Sequence, residues 1–407
     1  MRQIAFEETG VPSALWLLCF ATTTLLFVGF SANKLGGGDT VLVPLALILI
    51  YLFTSGPKLK PELDLIFALL ILSAVGIAAS SISRRPEISF DRLVLYRDVI
   101  FIGFCYYVLL KRGLVSNVSA VYLGVILGFL CVMPQTLFEY FMFSAQPEMS
   151  GQRFVAPKLT YYGHIRHFSY HAFFAACCAT LLARHESVFR YVTVTLAAVC
   201  VIALVASTGR AAILAYLVFI FLLLRREFSA LKISAILAFL ALAIVGVLVI
   251  LSFTPAASLT ESIILRSQQL TNPDQLLSGR IGFWKNALAS IKDSPLLGLG
   301  PEGYRWSLSV PQGVRQPHNS FVQLAVEFGY LGAAIVLVTF ARVTIPRISK
   351  FHSRDPATTS VYTGVSAILV AAFVYSLVDG VFYHFLPLIH VAVLAAVWFA
   401  AVNESAS

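Results

Sequence analysis

Three residues whose side chains can do chemistry stand out in an otherwise apolar chain. Arg210 lies in the short connection 207–210 between two apolar runs, Arg280 opens an amphipathic stretch, and His318 stands where the chain turns apolar again. A guanidinium can bind a phosphate through two parallel hydrogen bonds. An imidazole is largely neutral near pH 7 and can then accept a proton. These residue types indicate an anionic ligand and a histidine base, although a single histidine at a membrane edge is more often structural than catalytic.

The composition shows that membrane helices must hold these residues in place. The 407 residues are 58% hydrophobic and only 12% charged, with a mean hydropathy of +0.84, whereas soluble domains carry roughly 25% charged residues. This excludes a soluble globular enzyme, a disordered tail protein and a disulfide-rich secreted module. The net charge is +9, but no nucleic-acid-binding motif accompanies it. All six cysteines fall in apolar runs and are interpreted as packing residues.

Apolar runs of the length needed to cross a bilayer predict an all-α polytopic membrane protein with about 12 transmembrane helices. We interpret residues 1–407 as one transmembrane domain, with a large loop at 252–318 between spans nine and ten. The predicted spans are 13–30, 39–54, 64–81, 93–110, 118–142, 169–183, 189–206, 211–224, 230–251, 319–341, 357–378 and 382–402.

Short basic connections predict the orientation, because Lys and Arg accumulate in cytoplasmic loops. With both termini in the cytoplasm, every short inner connection is basic. The loop 252–318 then lies outside, together with about half of the 29 basic residues. Long loops cross a membrane regardless of charge, but this explains Arg210 poorly, since its connection is short. The inner connections hold Lys58, Lys60, Lys111, Arg112, Arg184, Arg190, Arg225, Arg226, Lys232, Arg342, Arg347, Lys350 and Arg354.

The outer loop carries a predicted amphipathic helix that Pro295 ends. Basic residues interrupt its apolar positions, so the helix either lies on the lipid surface or forms a lid over a site at the outer face. The apolar positions recur at helical spacing at Leu276, Ile281, Trp284, Leu288 and Ile291.

The motifs around these residues resemble the O-antigen ligase and O-antigen polymerase family of bacterial inner-membrane proteins. The resemblance is strong over about 200–335, and the hairpin Ser207-Thr208-Gly209-Arg210 matches a second landmark of the family. The stretch that carries it reads Ser278-Gly279-Arg280, Trp284, Ser294-Pro295, Gly298-Leu299-Gly300, Gly303-Tyr304, Pro317-His318-Asn319-Ser320, Glu327, Gly329 and Gly332.

The resemblance implies a membrane glycosyltransferase that takes a glycan from undecaprenyl diphosphate at the periplasmic face. It assigns diphosphate binding to Arg210 and Arg280, and His318 is then the candidate base for the acceptor hydroxyl. No Asp-x-Asp motif occurs in the chain, so we expect transfer without a metal or other cofactor. Displacement with a general base and no candidate covalent carboxylate fits inversion at the anomeric carbon.

Other polar residues near the predicted outer face have several interpretations. Arg166 and His167 lie in the second-largest outer loop and are expected to contact sugar or lipid A, or only to make the loop polar; Asn319 is expected to bind substrate beside His318. Asp379 and His384 are interpreted as capping the last outer turn. Glu327 is interpreted as a structural partner of a buried arginine. The group Arg84, Arg85, Arg92 and Arg97 could meet acceptor phosphates, but snorkelling at the interface is the more ordinary interpretation.

The preferred hypothesis is an O-antigen ligase of lipopolysaccharide biosynthesis, which transfers O-antigen polysaccharide to lipid A–core oligosaccharide. Its expected partners are the undecaprenyl-diphosphate-linked donor, the lipid A–core acceptor and membrane lipid, with no nucleic acid. The first alternative is an O-antigen polymerase or related oligosaccharyltransferase with the same donor. A transporter of lipid-linked glycans is less favoured, because its polar residues would be expected near the membrane midplane.

Overall fold

The computed structural model describes residues 14–31, 63–111, 113–144, 159–162, 164–185, 190–207, 209–224, 280–307, 310, 316–351 and 355–404. Within these ranges the chain forms α-helices and one short 3-10 helix, with no strand. The 3-10 helix is Gly303–Trp306. The α-helices are α1 (Ala14–Ser31), α2 (Leu63–Ser81), α3 (Pro86–Leu110), α4 (Leu114–Ser144), α5 (Ile165–His185), α6 (Arg190–Ala206), α7 (Arg210–Leu224), α8 (Arg280–Ile291), α9 (Ser320–Lys350), α10 (Pro356–Ser376) and α11 (Phe385–Glu404).

The predicted all-helical membrane class is confirmed, whereas the number of about 12 spans is not. The helices α3, α4, α9, α10 and α11 are long and apolar enough to cross a membrane, and α1, α2, α6 and α7 contain shorter apolar stretches. The predicted spans 39–54 and 230–251, like residues 252–279 of the predicted loop, lie outside the described residues.

Most of the described helices pack around one apolar core, formed by side chains of α1, α3 to α7, α10 and α11. Close pairs are α1 with α4, α5 with α6, and α11 with α3. A second, smaller core lies between α8, the 3-10 helix and α9. Residues 280–307 of the predicted outer loop therefore pack on the start of α9.

The predicted amphipathic helix is present as α8, but its buried face differs from the prediction. Ala287, Ser290 and Ile291 are buried, whereas Leu288 is 54% exposed. The Trp284 Nε1–H donates to the Pro317 carbonyl at 2.9 Å, on the chain that leads to His318. Contact with α9, which a helical period does not reveal, selects this face.

A break in α9 anchors the segment between α8 and the 3-10 helix. Gly329 has φ 66°, and the neighbouring segment fills the gap in the helix. The Leu299 and Gly300 amides donate to the Val326 and Glu327 carbonyls at 2.8 and 2.9 Å. Gly298 has φ 72°, and a Cβ there would lie 2.4 Å from the Gly329 nitrogen. Glycine is required at these two positions because the backbones touch in conformations that other residues avoid.

Candidate functional site

His318 is held in an unusual backbone conformation at the start of α9. Its φ is 56°, in the left-handed region that a residue with a side chain visits at a cost in free energy. Asn319 caps α9 by accepting hydrogen bonds from the amides of Phe321 and Val322, and its Nδ2 donates to the Leu377 carbonyl at 2.8 Å. The contacts of Pro317 and Asn319 thus position the imidazole between them.

Asp379 is the centre of the site. The carboxylate is 4% exposed, and its Oδ1 lies 3.2 Å from His318 Nδ1. Its Oδ2 lies 3.6 Å from both Arg166 Nε and Arg280 Nη2. The predicted capping contact is present, since the Gly380 amide donates to Asp379 Oδ1 at 2.8 Å, but the carboxylate also joins a histidine and two arginines from three other parts of the chain.

The charges around Asp379 favour its ionised form. Burial raises the pKa of this carboxyl, but the hydrogen bond from His318 and the charges of Arg166 and Arg280 outweigh burial and hold the pKa well below its usual range. Burial lowers the pKa of His318 and the two guanidinium groups add to this, while Asp379 opposes them; the net direction is downward. The imidazole is therefore neutral at neutral pH.

The contacts of His318 define which ring nitrogen carries the proton. A carboxylate can only accept a hydrogen bond, so the proton belongs on Nδ1, which faces Asp379. Nε2 then carries the lone pair, and Arg166 Nη1 lies beside both ring nitrogens, 3.3 Å from Nε2 and 3.2 Å from Nδ1. This tautomer is the one that a general base needs.

The site opens into a cavity of about 890 Å³. Polar and charged side chains from α3, α5, the 3-10 helix and the turns before α9 and α11 line most of it. The lining residues are Ile88, Asp91, Arg92, Leu95, His164, Arg166, His167, Phe283, Glu302, Arg305, Gln316, His318, Tyr383, His384 and Phe385.

Two polar groups can be distinguished around this cavity. The histidine pole comprises His318, Asp379, Arg166 and Arg280. The glutamate pole comprises Asp91, Arg92, Glu302, Arg305 and Tyr383. In the glutamate pole, the Tyr383 hydroxyl donates to Glu302 Oε2 at 2.7 Å, and Arg92 Nε lies 3.7 Å from Glu302 Oε1.

The structure brings most of the predicted site residues together. His318, Arg166 and His167 line the cavity, and Arg280 reaches Asp379 from the first residue of α8. Arg210 is exposed at the start of α7 and is not part of the lining. Its hairpin nevertheless packs on α5, where Ser169 Oγ donates to Ser207 Oγ at 2.9 Å.

Three predicted assignments take a more specific form. Arg166 and His167 belong to the first turn of α5 and not to a loop. The amide of Asn319 is fully engaged with backbone groups, which favours a positioning role. Glu327 is linked to the buried Arg92 through Glu302, since its Oε1 accepts from the Glu302 amide at 3.1 Å and Glu302 Oε1 lies 3.7 Å from Arg92 Nε.

The sequence pattern predicted only a capping role for Asp379, gave no prediction for Glu302, and favoured interface snorkelling over phosphate contact for Arg92. The available signal was an isolated acid at the turn between two apolar runs, where burial is costly unless a cation is near. In the described part of the chain, no cluster of three His, Cys, Asp or Glu residues has the spacing to hold a metal ion.

Comparison with known proteins gives one family. The family model described as O-antigen ligase matches residues 193–337, a segment that contains Arg210, Arg280 and His318. No curated protein matches the chain. The match confirms, over residues 193–337, the resemblance to the O-antigen ligase family that the motifs indicate.

Proposed function

We propose that the protein is a metal-independent O-antigen ligase of the bacterial inner membrane. It transfers O-antigen polysaccharide from undecaprenyl diphosphate to lipid A–core oligosaccharide, with the site and the loop 252–318 facing the periplasm. The observation that carries the proposal is the contact of His318 with Asp379, flanked by Arg166 and Arg280, at the wall of a large polar cavity.

His318 acts as the general base on the acceptor hydroxyl. Asp379 holds the proton of Nδ1, so that Nε2 takes the hydroxyl proton as the oxygen attacks the anomeric carbon. The bond between this carbon and the diphosphate breaks, and the diphosphate leaves with the electron pair. One displacement by the acceptor oxygen inverts the anomeric configuration.

Arg166 and Arg280 stabilise the leaving diphosphate. Both lie against the single carboxylate of Asp379, so with a neutral imidazole the histidine pole has one positive charge in excess. Guanidinium groups that are already fixed in place can neutralise charge as it develops without first reorganising. Arg210, exposed on the adjacent hairpin, is proposed to hold the diphosphate as the donor enters.

Reconstitution with two acceptors tests this function. The purified protein in liposomes is given an undecaprenyl-diphosphate-linked glycan, together with lipid A–core oligosaccharide or a second lipid-linked glycan. We expect labelled lipid A–core and no change in rate with excess chelator. Lengthened lipid-linked chains would instead identify a polymerase, and activity restored by a divalent cation after chelation would contradict metal independence.

A further inference from the structure

The glutamate pole contains hydrogen-bonding groups that the proposed transfer reaction does not use. Arg92 Nε and Nη2 are buried and make no hydrogen bond with the described residues. The Arg92 guanidinium lies 4.5 Å from the centroid of the Tyr383 ring, which holds it beside the cavity. Buried donors of this kind are costly unless a partner satisfies them. A ligand acceptor atom in the cavity would provide that partner.

Glu302 is held at the cavity wall by strained backbone. Its φ is 65°, and its amide donates to Glu327 Oε1, so the side chain of Glu327 fixes the peptide. Left-handed backbone at a residue other than glycine is unfavourable, and it persists where the surrounding structure imposes it. Here it places a carboxylate beside Arg92 and within reach of a ligand hydroxyl.

The two poles differ in charge. The histidine pole has one positive charge in excess, which suits a diphosphate. In the glutamate pole, Arg92 and Arg305 are balanced by Glu302 and Asp91, so it offers donors and acceptors without net charge. Such a mixture is suited to sugar hydroxyls, each of which both donates and accepts a hydrogen bond.

One turn of the chain joins the two poles. Asp379 and Tyr383 are four residues apart between α10 and α11. An extended chain covers at most about 3.6 Å per residue, so their backbones lie within about 14 Å of each other. A single short oligosaccharide can therefore contact both poles.

We propose that the glutamate pole is a subsite for uncharged sugar rings of a glycan substrate next to the bond that is formed. The proposal rests on the function proposed above and adds that Glu302 and Arg92 bind ring hydroxyls. The glycan belongs either to the donor or to the acceptor, and the same chemistry serves both.

Binding of three probes by the full-length protein in detergent distinguishes these sources. The probes are undecaprenyl diphosphate without sugar, undecaprenyl diphosphate carrying a neutral oligosaccharide, and lipid A–core oligosaccharide. We expect Glu302→Gln to weaken binding of one glycan-bearing probe by about 10-fold or more, since hydrogen bonds to charged groups have this strength. Binding of the sugar-free lipid should be unchanged. The affected probe identifies the source of the glycan.

Two further variants keep the test decisive. Asp91→Asn changes an exposed residue of the same pole, and we expect a loss of about 3-fold or more on the same probe. If Glu302→Gln lowers the melting temperature, the binding result for Asp91→Asn tests the subsite in its place. Arg84→Gln is the matched control, because Arg84 is exposed, pairs with Asp293 and does not line the cavity.

The results separate the subsite from the proposed reaction. If neither Glu302→Gln nor Asp91→Asn weakens binding of a glycan-bearing probe, the proposed subsite is wrong even where transfer is observed. The same holds if binding of the sugar-free lipid weakens equally. If the wild-type protein binds a glycan-bearing probe through Glu302 but transfers nothing, the subsite holds and the proposed reaction is wrong.

Discussion

His318 Nδ1 lies 3.2 Å from Asp379 Oδ1, although 61 residues separate them along the chain. His318 precedes α9 and Asp379 follows α10, so the antiparallel course of these two helices brings their ends together. The carboxylate accepts a hydrogen bond from Nδ1–H, so the lone pair that can take a substrate proton is on Nε2, beside Arg166 Nη1. The pair therefore has the arrangement of an oriented general base.

Replacement of His318 tests the base directly. We expect His318→Ala to retain less than about one per cent of transfer activity, because a general base contributes roughly 10²–10⁴-fold. Donor binding and the melting temperature should remain near wild type. His185→Ala, at the last residue of α5 and the opposite end of that helix from the site, is the matched control. If activity and melting temperature fall together in His318→Ala, His318 has only a structural packing role.

The pH dependence of kcat should move in opposite directions in two variants. The base must be neutral, so activity falls as pH drops through the pKa of His318. Arg166 lowers this pKa and Asp379 raises it. Arg166→Gln should therefore move the acidic limb of the profile to higher pH, and Asp379→Asn should move it to lower pH. Reduced activity with an unmoved limb in both variants would argue against His318 as the titrating base.

Lysine should substitute poorly for the two arginines at Asp379. We expect Arg166→Lys and Arg280→Lys to weaken binding of undecaprenyl diphosphate about 10-fold or more, because an ammonium cannot form the paired hydrogen bonds of a guanidinium. Arg84→Lys controls for the loss of a guanidinium outside the cavity. Direct titration measures the affinity of each variant for undecaprenyl diphosphate. If all three variants bind it equally well, the histidine pole does not bind the diphosphate.

Gly298, which packs against the break in α9, should contribute to the stability of the fold. Gly298→Ala should lower the free energy of unfolding by at least about 1 kcal/mol, because Gly298 has a positive φ and no space for a Cβ. Gly282→Ala in α8 is the comparison, since alanine is the better residue within a helix. Thermal melting in detergent measures both, and an unchanged Gly298→Ala protein would contradict the close packing of the two segments.

The orientation of the protein can be tested by labelling. A cysteine introduced at Lys292, which is exposed just after α8, should react with a membrane-impermeant maleimide in cells with a permeabilised outer membrane. A cysteine at Ser407 should react only after lysis. The opposite pattern would reverse the orientation and place the cavity in the cytoplasm.

Sequence patterns alone predicted a helical membrane protein and the helix α8, and they singled out Arg280 and His318 as candidate site residues. These conclusions depend on local information. Long apolar runs predict helices in a bilayer, a helical period with Pro295 after it predicts α8, and the motif around His318 indicates its family. Leu288 was predicted on the buried face of α8 and is exposed. The helical period predicts an amphipathic helix, but it does not predict which face the neighbouring helices cover.

The residues that surround His318 are brought to it by tertiary packing. Arg166 lies 152 residues away in the chain, and the sequence predicts only a capping role for Asp379. Neither contact leaves a local pattern, because each depends on how the ends of separate helices meet. The same holds for Arg92 and Glu302, which only the break at Gly329 and the docking of the outer segment bring together. Arg210, predicted beside them, is exposed outside the lining because its hairpin packs on the side of α5.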